Sequence, residues 1–446
     1  MVDRLALAAL LALTCSACGP SEEMPTDPVK SRSLGDLSGP WQLFVDDHLV
    51  ETKEGLIRTY HPFEKYSGNP VLRGDRPWEE DRVFVYGTLL PAEKGTGYRL
   101  WYHASADGYL NLYATSRDGI NWDRPNLGLV ERDGIPENNL IFWRSKEDHM
   151  PQVIHTPWEP DPQKRYKLIN YDYGRTPPDH MTSGFWAAYS LDGLHWTEVE
   201  ENPVLVDPGD VGNFVWDPHA ERYLGYPKTF APVRGYRRRC VGFTSTTDFE
   251  KWPPAELILV PDEVDDRWVT EDGQHTDLYG LSGFAYESTY LGFLWIFRIE
   301  DGKNEGRIFA ELVSSHDGIH WVRQEGKRPP ILPLGEAGNW DQAVVVTLHQ
   351  PMVEGDTIRI YYGGTNDYHT GGGKAAIGLA TLRKDGFASL DAGSKMGTVT
   401  TRPLIGSEGE LHLNTNASGG WVKVEVLDSE GNVIEGYGRD DCASIS

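Results

Sequence analysis

Short aromatic and apolar segments recur along the chain at a nearly constant spacing, and their length and alternation are typical of β-strands. The first series of these segments occupies positions 98–102, 166–170, 223–226, 290–295 and 358–362. Their first residues are 68, 57, 67 and 68 positions apart. A fixed period of this size indicates a repeat architecture in which each copy is one supersecondary unit.

A second series consists of turns with the pattern Ser-x-Asp-Gly-x-x-Trp. The pattern is complete at 116–122, 190–196 and 315–321, varies at 246–252, and is degenerate at 383–387. Asp-Gly favours a tight hairpin because positive φ costs glycine nothing. We therefore predict that the turn aspartates bond their own backbone and that the Trp packs back on the strands.

A third series of short apolar strands, at 69–72, 139–142, 202–205, 256–259 and 330–332, closes each copy. Five copies of strand, strand, turn and strand predict an all-β fold, a five-bladed β-propeller over residues 41–395. No stretch keeps a helical period, which argues against a parallel α/β fold. Alternating runs at 410–414 and 421–427 predict that 396–446 form a small, β-sandwich-like module, which looks truncated.

The amino-terminal sequence predicts an export signal. Nine apolar residues at 5–13 follow Arg4, too few to span a bilayer, so residues 1–18 are predicted to be a signal peptide. Residues 15–18 resemble a bacterial lipoprotein box, which would place a lipid on Cys18, and plain secretion is the alternative. Residues 19–40 are predicted to be a flexible tether. The protein is expected to be secreted, periplasmic or lipid-anchored to the bacterial envelope.

The composition narrows the range of partners. The chain has 67 Asp and Glu against 42 Lys and Arg, a net charge of −25, which argues against binding to a nucleic-acid backbone. After removal of a signal peptide, Cys240 and Cys442 could form one bridge but no disulfide framework. No zinc-binding pattern is present, no cofactor is expected, and a structural Ca²⁺ and the oligomeric state stay open.

One acidic residue precedes or begins each predicted innermost strand, and these residues follow the same period without the turn motif. They are Asp81, Asp148, Asp210, Asp277 and Asp341, spaced by 67, 62, 67 and 64 positions. Innermost strands surround the propeller axis, so these acids should converge. A structural alternative is that each carboxylate caps backbone amides.

A cluster of carboxylates beside aromatic rings is suited to carbohydrate chemistry. Cleavage of a glycosidic bond needs one protonated and one ionised carboxyl group, and repulsion between neighbouring carboxylates separates their pKa values. The further candidate binding residues lie close to the acids in sequence: Arg82, His149, His275, Tyr279, Glu287, Trp340 and Gln342. The alternative role of Trp340 is blade packing, and the alternative role of Glu287 is in a turn. Segment 43–48 is predicted to be a ring-closing strand whose acids are solvated.

The turns, the Asn-Pro-Val-Leu segments at 69 and 202, and the acidic series together resemble the five-bladed β-propeller glycoside hydrolases of families 32, 43, 62, 68 and 130. Segments 43–48 and 277–293 look like uncharacterised bacterial family-32-like members, although the NDPNG, RDP and Glu-Cys signatures of family 32 are absent. The resemblance implies that Asp81 is the base or nucleophile, that Asp148 has an orienting and pKa-tuning role, and that Asp210 is the acid.

The leading hypothesis is an exported glycosidase that acts on a plant, algal or microbial glycan. The alternatives are a glycan phosphorylase, which needs a cationic phosphate pocket, and a non-catalytic sugar-binding propeller. Two carboxyl groups about 5 to 10 Å apart would favour the enzyme. Scattered or Lys-neutralised acids would favour the binding protein.

Overall fold

The recurring segments form antiparallel strands in this computed structural model, which describes residues 35–37, 39–132, 134–142, 144–174, 182–206, 208–324, 326–406 and 410–446. The predicted signal peptide, Cys18 and residues 19–34 of the predicted tether lie outside the described residues. Within the described ranges the only helical element is the 3-10 turn Pro162–Lys164. No helix in this part of the chain is long and apolar enough to span a membrane. The all-β prediction is confirmed.

The strands group into five antiparallel units, numbered 1 to 5 in chain order. Unit 1 contains Val83–Pro91, Tyr98–Ala106, Gly108–Ser116, Trp122–Asp123 and Leu140–Phe142. Unit 2 contains Asp148–His155, Tyr166–Asp172, Gly184–Ser190, Thr197–Glu198 and Leu205–Val206. Unit 3 contains Gly212–Asp217, Arg222–Val233, Tyr236–Thr246 and Glu256–Leu259. In each of these three units the first strand pairs with the second and the second with the third.

The remaining strands complete units 4 and 5 and the amino-terminal region. Unit 4 contains His275–Tyr286, Thr289–Ile299, Gly306–Ser315, Trp321–Val322 and Pro330–Leu332. Unit 5 contains Val344–Thr347, Met352–Glu354, Thr357–Thr365 and Ala375–Arg383, together with the amino-terminal strands Glu64–Lys65 and Leu72–Arg73. Two further pairs join Val50–Glu54 to Thr398–Thr401 and Leu56–Tyr60 to Ala388–Ala392.

The prediction that segment 43–48 is a ring-closing strand is wrong, because the described chain has no strand there. The short strands Glu64–Lys65 and Leu72–Arg73 pair with Ala375–Arg383 and close the ring instead. Asp46, predicted to be solvated, is buried and accepts hydrogen bonds from Ser314 Oγ at 2.5 Å and His316 Nε2 at 3.1 Å. Asp47 is exposed and pairs with Lys53 at 3.0 Å. The segment thus fastens the amino terminus to unit 4.

Hydrogen bonds from the aromatic series to the turn glycines link neighbouring units. The donors are the fourth residues of three aromatic segments, and the acceptors are carbonyl oxygens in the next unit: Trp101 to Gly193 at 2.8 Å, Tyr226 to Gly318 at 2.9 Å, and Tyr361 to Gly119 at 2.7 Å. The first bond joins unit 1 to unit 2 and the second joins unit 3 to unit 4. Because the third joins unit 5 back to unit 1, the units form the closed ring expected of a propeller.

The turn aspartates have the local role that the sequence predicts. Asp118 Oδ1 accepts hydrogen bonds from the backbone N–H groups of Ile120 and Asn121, both at 2.8 Å. Trp122 of the same turn packs edge-on against Tyr361 of unit 5, with ring centroids 5.6 Å apart. These turns therefore fold locally and pack the units together.

Beyond Thr398–Thr401 the described residues contain no further strand and form only isolated bridges, Ile405 with Asp36, Val422 with Ile445, and Leu427 with Val433. Most side chains in this segment are exposed. The limits of the predicted carboxy-terminal module therefore stay a prediction. Cys240 and Cys442 are both free thiols, so the bridge left open by the sequence does not form.

Candidate functional site

The first strands of units 1 and 4 each contain a β-bulge that turns a polar side chain toward the other unit. Strand pairing shifts register between Phe84 and Thr88 in unit 1 and between Leu278 and Gly280 in unit 4. Tyr86 and Tyr279 lie within these two β-bulges. Bulges bend a strand and redirect a side chain, and they are common beside functional sites.

A glycine follows each of these tyrosines, and the packing explains why. A Cβ atom on Gly87 would lie 1.9 Å from the backbone oxygen of Trp101, and one on Gly280 would lie 2.7 Å from the ring of Trp295. Only a residue without a side chain fits at either place. The Tyr-Gly pairs are thus a sequence signal for the two bulges.

Unit 2 contributes His149 to the same region through a third bulge. Pairing shifts between His149 and Gln152, and the intervening Met150 has a positive φ of 65°. The His149 ring stacks on Tyr173 with centroids 5.3 Å apart. Burial lowers the pKa of His149, although nearby Asp210 opposes that shift. At neutral pH the imidazole is therefore neutral.

Asp210 of unit 3 is the carboxylate at this centre, and it is paired with a cation. One oxygen accepts a hydrogen bond from the buried Lys228 ammonium, and the other accepts one from the Tyr173 hydroxyl. Burial by itself would raise the pKa of Asp210, but the charge and hydrogen bond of Lys228, with the Tyr173 bond, hold it well below the usual range. Asp210 is therefore ionised at neutral pH, which disagrees with the acid role implied by the resemblance.

A second ion pair lies in unit 4 and joins it to unit 3. Asp277 Oδ2 accepts a hydrogen bond from Arg239 at 2.7 Å, and Arg239 also donates to Asn304 Oδ1 at 2.5 Å. Asp277 is buried, and its Oδ1 accepts no hydrogen bond within the described chain. His275 Nε2 lies 3.6 Å from that oxygen. Asp277 Oδ1 is thus a buried acceptor with unused capacity.

The two ion pairs flank one aromatic ring. Lys228 Nζ lies 5.0 Å from the centroid of the Tyr279 ring, and Arg239 Cζ lies 5.9 Å from it. The Tyr279 hydroxyl lies 2.9 Å from Nε2 of His369, which belongs to unit 5. Burial and the charge of Asp210 raise the pKa of Tyr279, so its hydroxyl stays protonated.

Side chains from all five units therefore meet at this centre, which we call the central cluster. Its members are Tyr86, His149, Tyr173, Asp210, Lys228, Arg239, Asp277, Tyr279 and His369. Of the predicted site residues, the structure brings four together, namely His149, Asp210, Asp277 and Tyr279. The convergence expected from the acidic series is thus partial.

Asp81 lies outside the central cluster. Its side chain is 59% exposed and pairs with Lys374 at 2.8 Å, and its backbone has a positive φ of 62°. The neighbouring Arg82 donates to the carbonyl oxygen of Gly373 at 2.6 Å. The base or nucleophile role implied for Asp81 does not suit this position, because the carboxylate contacts solvent and a lysine rather than the centre.

Asp148 is inside unit 2 and is fully buried. It accepts a hydrogen bond from Asn170, and Arg144 lies 3.5 Å away. Burial raises the pKa of Asp148 to about 7, with Arg144 opposing and the neighbouring Asp172 adding to the shift. The side chain cannot touch a substrate there. Its predicted orienting role could act only through the adjacent His149.

The predicted residues of unit 5 support the strand packing. Asp341 is buried, accepts hydrogen bonds from Lys65 at 2.6 Å and from Tyr362 at 3.0 Å, and so anchors an amino-terminal strand. Trp340 stacks on Tyr362 with centroids 5.5 Å apart, which agrees with the packing alternative. Gln342 receives and donates backbone hydrogen bonds at the same end of the unit.

Two predicted binding residues of unit 4 lie at opposite ends of its first strand. His275 stacks on Tyr236 with centroids 4.4 Å apart, next to the central cluster. Glu287 follows the far end of the strand and accepts a hydrogen bond from the Trp41 N–H at 3.1 Å. Strand rise places it roughly 30 Å from Asp277. Glu287 therefore has the alternative role, in a turn, that the sequence allowed.

Five members of the central cluster were not among the predicted site residues, and apart from Tyr86 they form a group that lies outside the first strands. Lys228 and Arg239 lie on the second and third strands of unit 3, so the series on first strands does not include them. Tyr173 follows a second strand, and His369 lies in a loop. The run of three arginines ending at Arg239 was the only sequence signal for this group.

Each acid of the series has a cationic or amide partner, the arrangement that the sequence analysis associated with a binding protein. Within the described ranges, no group of three or more His, Cys, Asp or Glu side chains is arranged to hold a metal ion. That no cofactor is needed stays a prediction.

Comparisons with known proteins give structural matches only. No family model matches the chain, and no curated protein does. One similar structure is from the GH130 family of mannoside phosphorylases, which contains glycoside hydrolases that target β-1,2 mannosidic linkages in Candida mannan. It is 14% identical with a TM-score of 0.50, and the match covers 75% of this chain and 97% of that one.

Two further structures match with lower scores. A glycosyl hydrolase from Bacteroides ovatus is 12% identical with a TM-score of 0.47, covering 74% of this chain and 96% of that one. A β-1,2-mannobiose phosphorylase from Listeria innocua is 11% identical with a TM-score of 0.45, covering 72% and 96%. At 14% identity the likeness to the GH130 structure shows the fold alone, which is a β-propeller.

Proposed function

We propose that this protein is a glycoside hydrolase whose active site is the central cluster. The observation that carries the proposal is the pair of carboxylates, Asp210 and Asp277, held on either side of Tyr279 where side chains from all five units meet. The fold it shares with glycan-active proteins supports the same class. The substrate is a plant, algal or microbial glycan.

The chemistry of the cluster suits this reaction. Glycosidic bond cleavage uses two carboxyl groups, one of them ionised to activate water or attack the sugar. Asp210 has that role, because Lys228 and Tyr173 keep it charged. Asp277 is the second carboxyl group. Its Oδ1, which accepts no hydrogen bond within the described chain, can accept one from a sugar hydroxyl or can carry the proton that passes to the leaving oxygen. Tyrosine rings and hydroxyls at the centre supply the stacking and hydrogen bonds that sugars need.

A phosphorylase would use phosphate in place of water, so the balance of charge bears on the choice. The cluster contains two cations, Lys228 and Arg239, and each is already paired with an aspartate. A phosphate dianion there would add negative charge without a free cation to receive it. This balance favours water as the acceptor and makes the hydrolase the leading proposal.

A non-catalytic sugar-binding propeller is the second candidate. It is supported by the cationic partners of Asp210 and Asp277 and by the absence of Asp81 and Asp148 from the cluster. In that case the same carboxylates would accept sugar hydroxyls without cleaving a bond.

The deciding experiment measures product release by mass spectrometry from a broad panel of furanoside and pyranoside oligosaccharides, with and without inorganic phosphate. Asp210→Asn should lower kcat by about 10³-fold, the scale of a lost catalytic carboxylate, and Asp277→Asn should also lower it. Asp123→Asn is the matched control, since this carboxylate is exposed on the outermost strand of unit 1.

The outcomes separate the candidates. Release without phosphate that is lost in Asp210→Asn supports the hydrolase, whereas products that carry phosphate identify a phosphorylase. Binding without release from any glycan identifies the sugar-binding protein.

We also propose that the protein is exported and carries a lipid on Cys18, and the sequence of residues 1–18 supports this. Labelling of a bacterial culture with a clickable fatty acid should mark the wild-type protein and not a Cys18→Ser variant. Unlabelled, unanchored protein in both cultures would leave plain secretion as the explanation.

A further inference from the structure

One loop of unit 5 reaches across the mouth of the central cluster. It comprises residues 366–374, between Thr357–Thr365 and Ala375–Arg383, and has the sequence Asn-Asp-Tyr-His-Thr-Gly-Gly-Gly-Lys. Most of these residues are exposed or half-buried. A glycine-rich surface loop has little intrinsic order, so bonds to neighbouring units must fix its path.

Unit 1 holds one end of the loop. The Arg82 guanidinium donates to the carbonyl oxygens of Gly371 at 3.1 Å and Gly373 at 2.6 Å. Asp81 pairs with Lys374 at 2.8 Å. Two residues that the sequence placed in the active site therefore bind the loop instead, and Arg82 contributes two bonds through one guanidinium nitrogen.

Units 4 and 5 hold the other end. Glu305 of unit 4 accepts a hydrogen bond from the Thr370 N–H at 3.2 Å. Gln342 of unit 5 donates to the Asn366 carbonyl oxygen at 2.7 Å. The loop is therefore fixed on both sides of His369.

Two of the glycines are needed by the loop conformation. A Cβ atom on Gly371 or on Gly373 would lie 2.4 Å from the side chain of Asp367. Contacts this short are not tolerated without a shift of the chain, so the loop folds over Asp367 only because side chains are absent there.

The anchored loop places His369 against the central cluster. Its Nε2 lies 2.9 Å from the Tyr279 hydroxyl, and its ring centroid lies 4.7 Å from that of Phe297. Burial, with the charges of Arg239 and Lys228, lowers the pKa of His369 to about 4. The imidazole is neutral at neutral pH and can both donate and accept a hydrogen bond.

We propose that loop 366–374 is the unit 5 wall of the sugar-binding site, that His369 binds a substrate hydroxyl together with Tyr279, and that Arg82 is a positioning residue that holds the loop. This inference rests on the proposed glycan-binding function of the central cluster. It gives a role to Asp81, Arg82 and Gln342, each of which contacts the loop.

The test compares substituted proteins by KM, kcat and the dissociation constant of the glycan that the panel identifies. His369→Ala should raise KM and the dissociation constant about 10-fold, the value of one hydrogen bond. Arg82→Ala should raise both by a similar factor and speed hydrogen exchange of the 366–374 amides, and Arg82→Lys should restore part of the affinity. The matched controls, His320→Ala and Arg117→Ala, are exposed residues of turns in units 4 and 1.

A purely structural role for Arg82 would lower thermal stability but leave KM and the dissociation constant within twofold of the Arg117→Ala values, and that result overturns its positioning role. Unchanged binding by His369→Ala overturns the role of His369.

These outcomes differ from a failure of the hydrolase proposal. If the wild type binds a glycan without cleaving it, dissociation constants alone still decide the role of the loop. If the wild type binds no glycan at all, both proposals fall.

Discussion

The buried carboxyl group of Asp148 should make the stability of the protein depend on pH, and an Asp148→Asn variant should lose that dependence. Asp148 has no exposed surface, accepts a hydrogen bond from Asn170, and has Arg144 at 3.5 Å. Burial is the largest influence on it and raises its pKa from 3.8 to about 7. Arg144 would keep a partner in the variant, because it also pairs with Glu198.

The size and sign of the effect follow from that pKa change. A rise of about 3 pKa units corresponds to about 4 kcal/mol. Between pH 4 and pH 7 the unfolded chain loses the Asp148 proton while the folded chain keeps it. The free energy of unfolding therefore falls as pH rises through this window and levels off above pH 7. Asparagine has no such proton. The free energy of unfolding of the Asp148→Asn variant relative to that of wild type should therefore rise by about 4 kcal/mol over the same window.

Urea unfolding followed by tryptophan fluorescence, repeated from pH 4 to pH 8, measures this difference. Taking variant minus wild type cancels the titration of all other groups that the substitution leaves unchanged. The Asp123→Asn variant is the control and should track wild type, since that carboxylate is exposed. If the Asp148→Asn and wild-type curves stay parallel across the range, burial does not control this carboxyl group and the reasoning is refuted.

Three further substitutions test the centre, the bulges and the amino-terminal contact. Lys228→Met should move the acid limb of the pH–activity profile upward by more than about one unit, because burial then raises the pKa of Asp210 against only the weaker influences of Tyr173 and His149. An unmoved limb would contradict the assignment of Asp210. Gly87→Ala should cost about 3 kcal/mol in urea unfolding, because its Cβ would overlap the Trp101 backbone. Asp46→Asn should lower the free energy of unfolding by about 2 kcal/mol at neutral pH, because hydrogen bonds lower the Asp46 pKa to about 2 despite burial. The free energies of unfolding of wild type and of Asp46→Asn should converge as pH falls from about 4 to about 2.

The repeating parts of the fold were predictable because each depends on local chemistry. The Asp-Gly turns form around their own backbone, as Asp118 shows, and in three of the five aromatic segments the fourth residue donates a hydrogen bond to the next turn. Even the acids of the series lie at or before the first strands, as the spacing indicated. Periodicity therefore located the strands and the closed ring, though not the strands that seal it.

The side-chain directions at the centre were not predictable from that spacing. A positive φ turns Asp81 to the rim, and bulges turn Tyr86 and Tyr279 inward, so equivalent places in the repeat point differently. His369 belongs to a loop that has no counterpart in the repeated pattern. Departures from the repeat, rather than the repeat itself, thus determine which residues meet.

Unit 3 supplies the cations that pair with the two carboxylates of the centre in a protein with a net charge of −25. Its second and third strands, of 12 and 11 residues, supply Lys228 to Asp210 and Arg239 to Asp277. Lys228 keeps Asp210 ionised, whereas the sequence predicted that repulsion between neighbouring acids would decide which carboxyl group retains a proton. The same pairing leaves neither Lys228 nor Arg239 unpaired, so an anionic sugar would find no free positive charge at the cluster. If the proposed glycan-binding function holds, a neutral glycan should therefore bind more tightly than an acidic glycan of the same length, and the oligosaccharide panel tests this order.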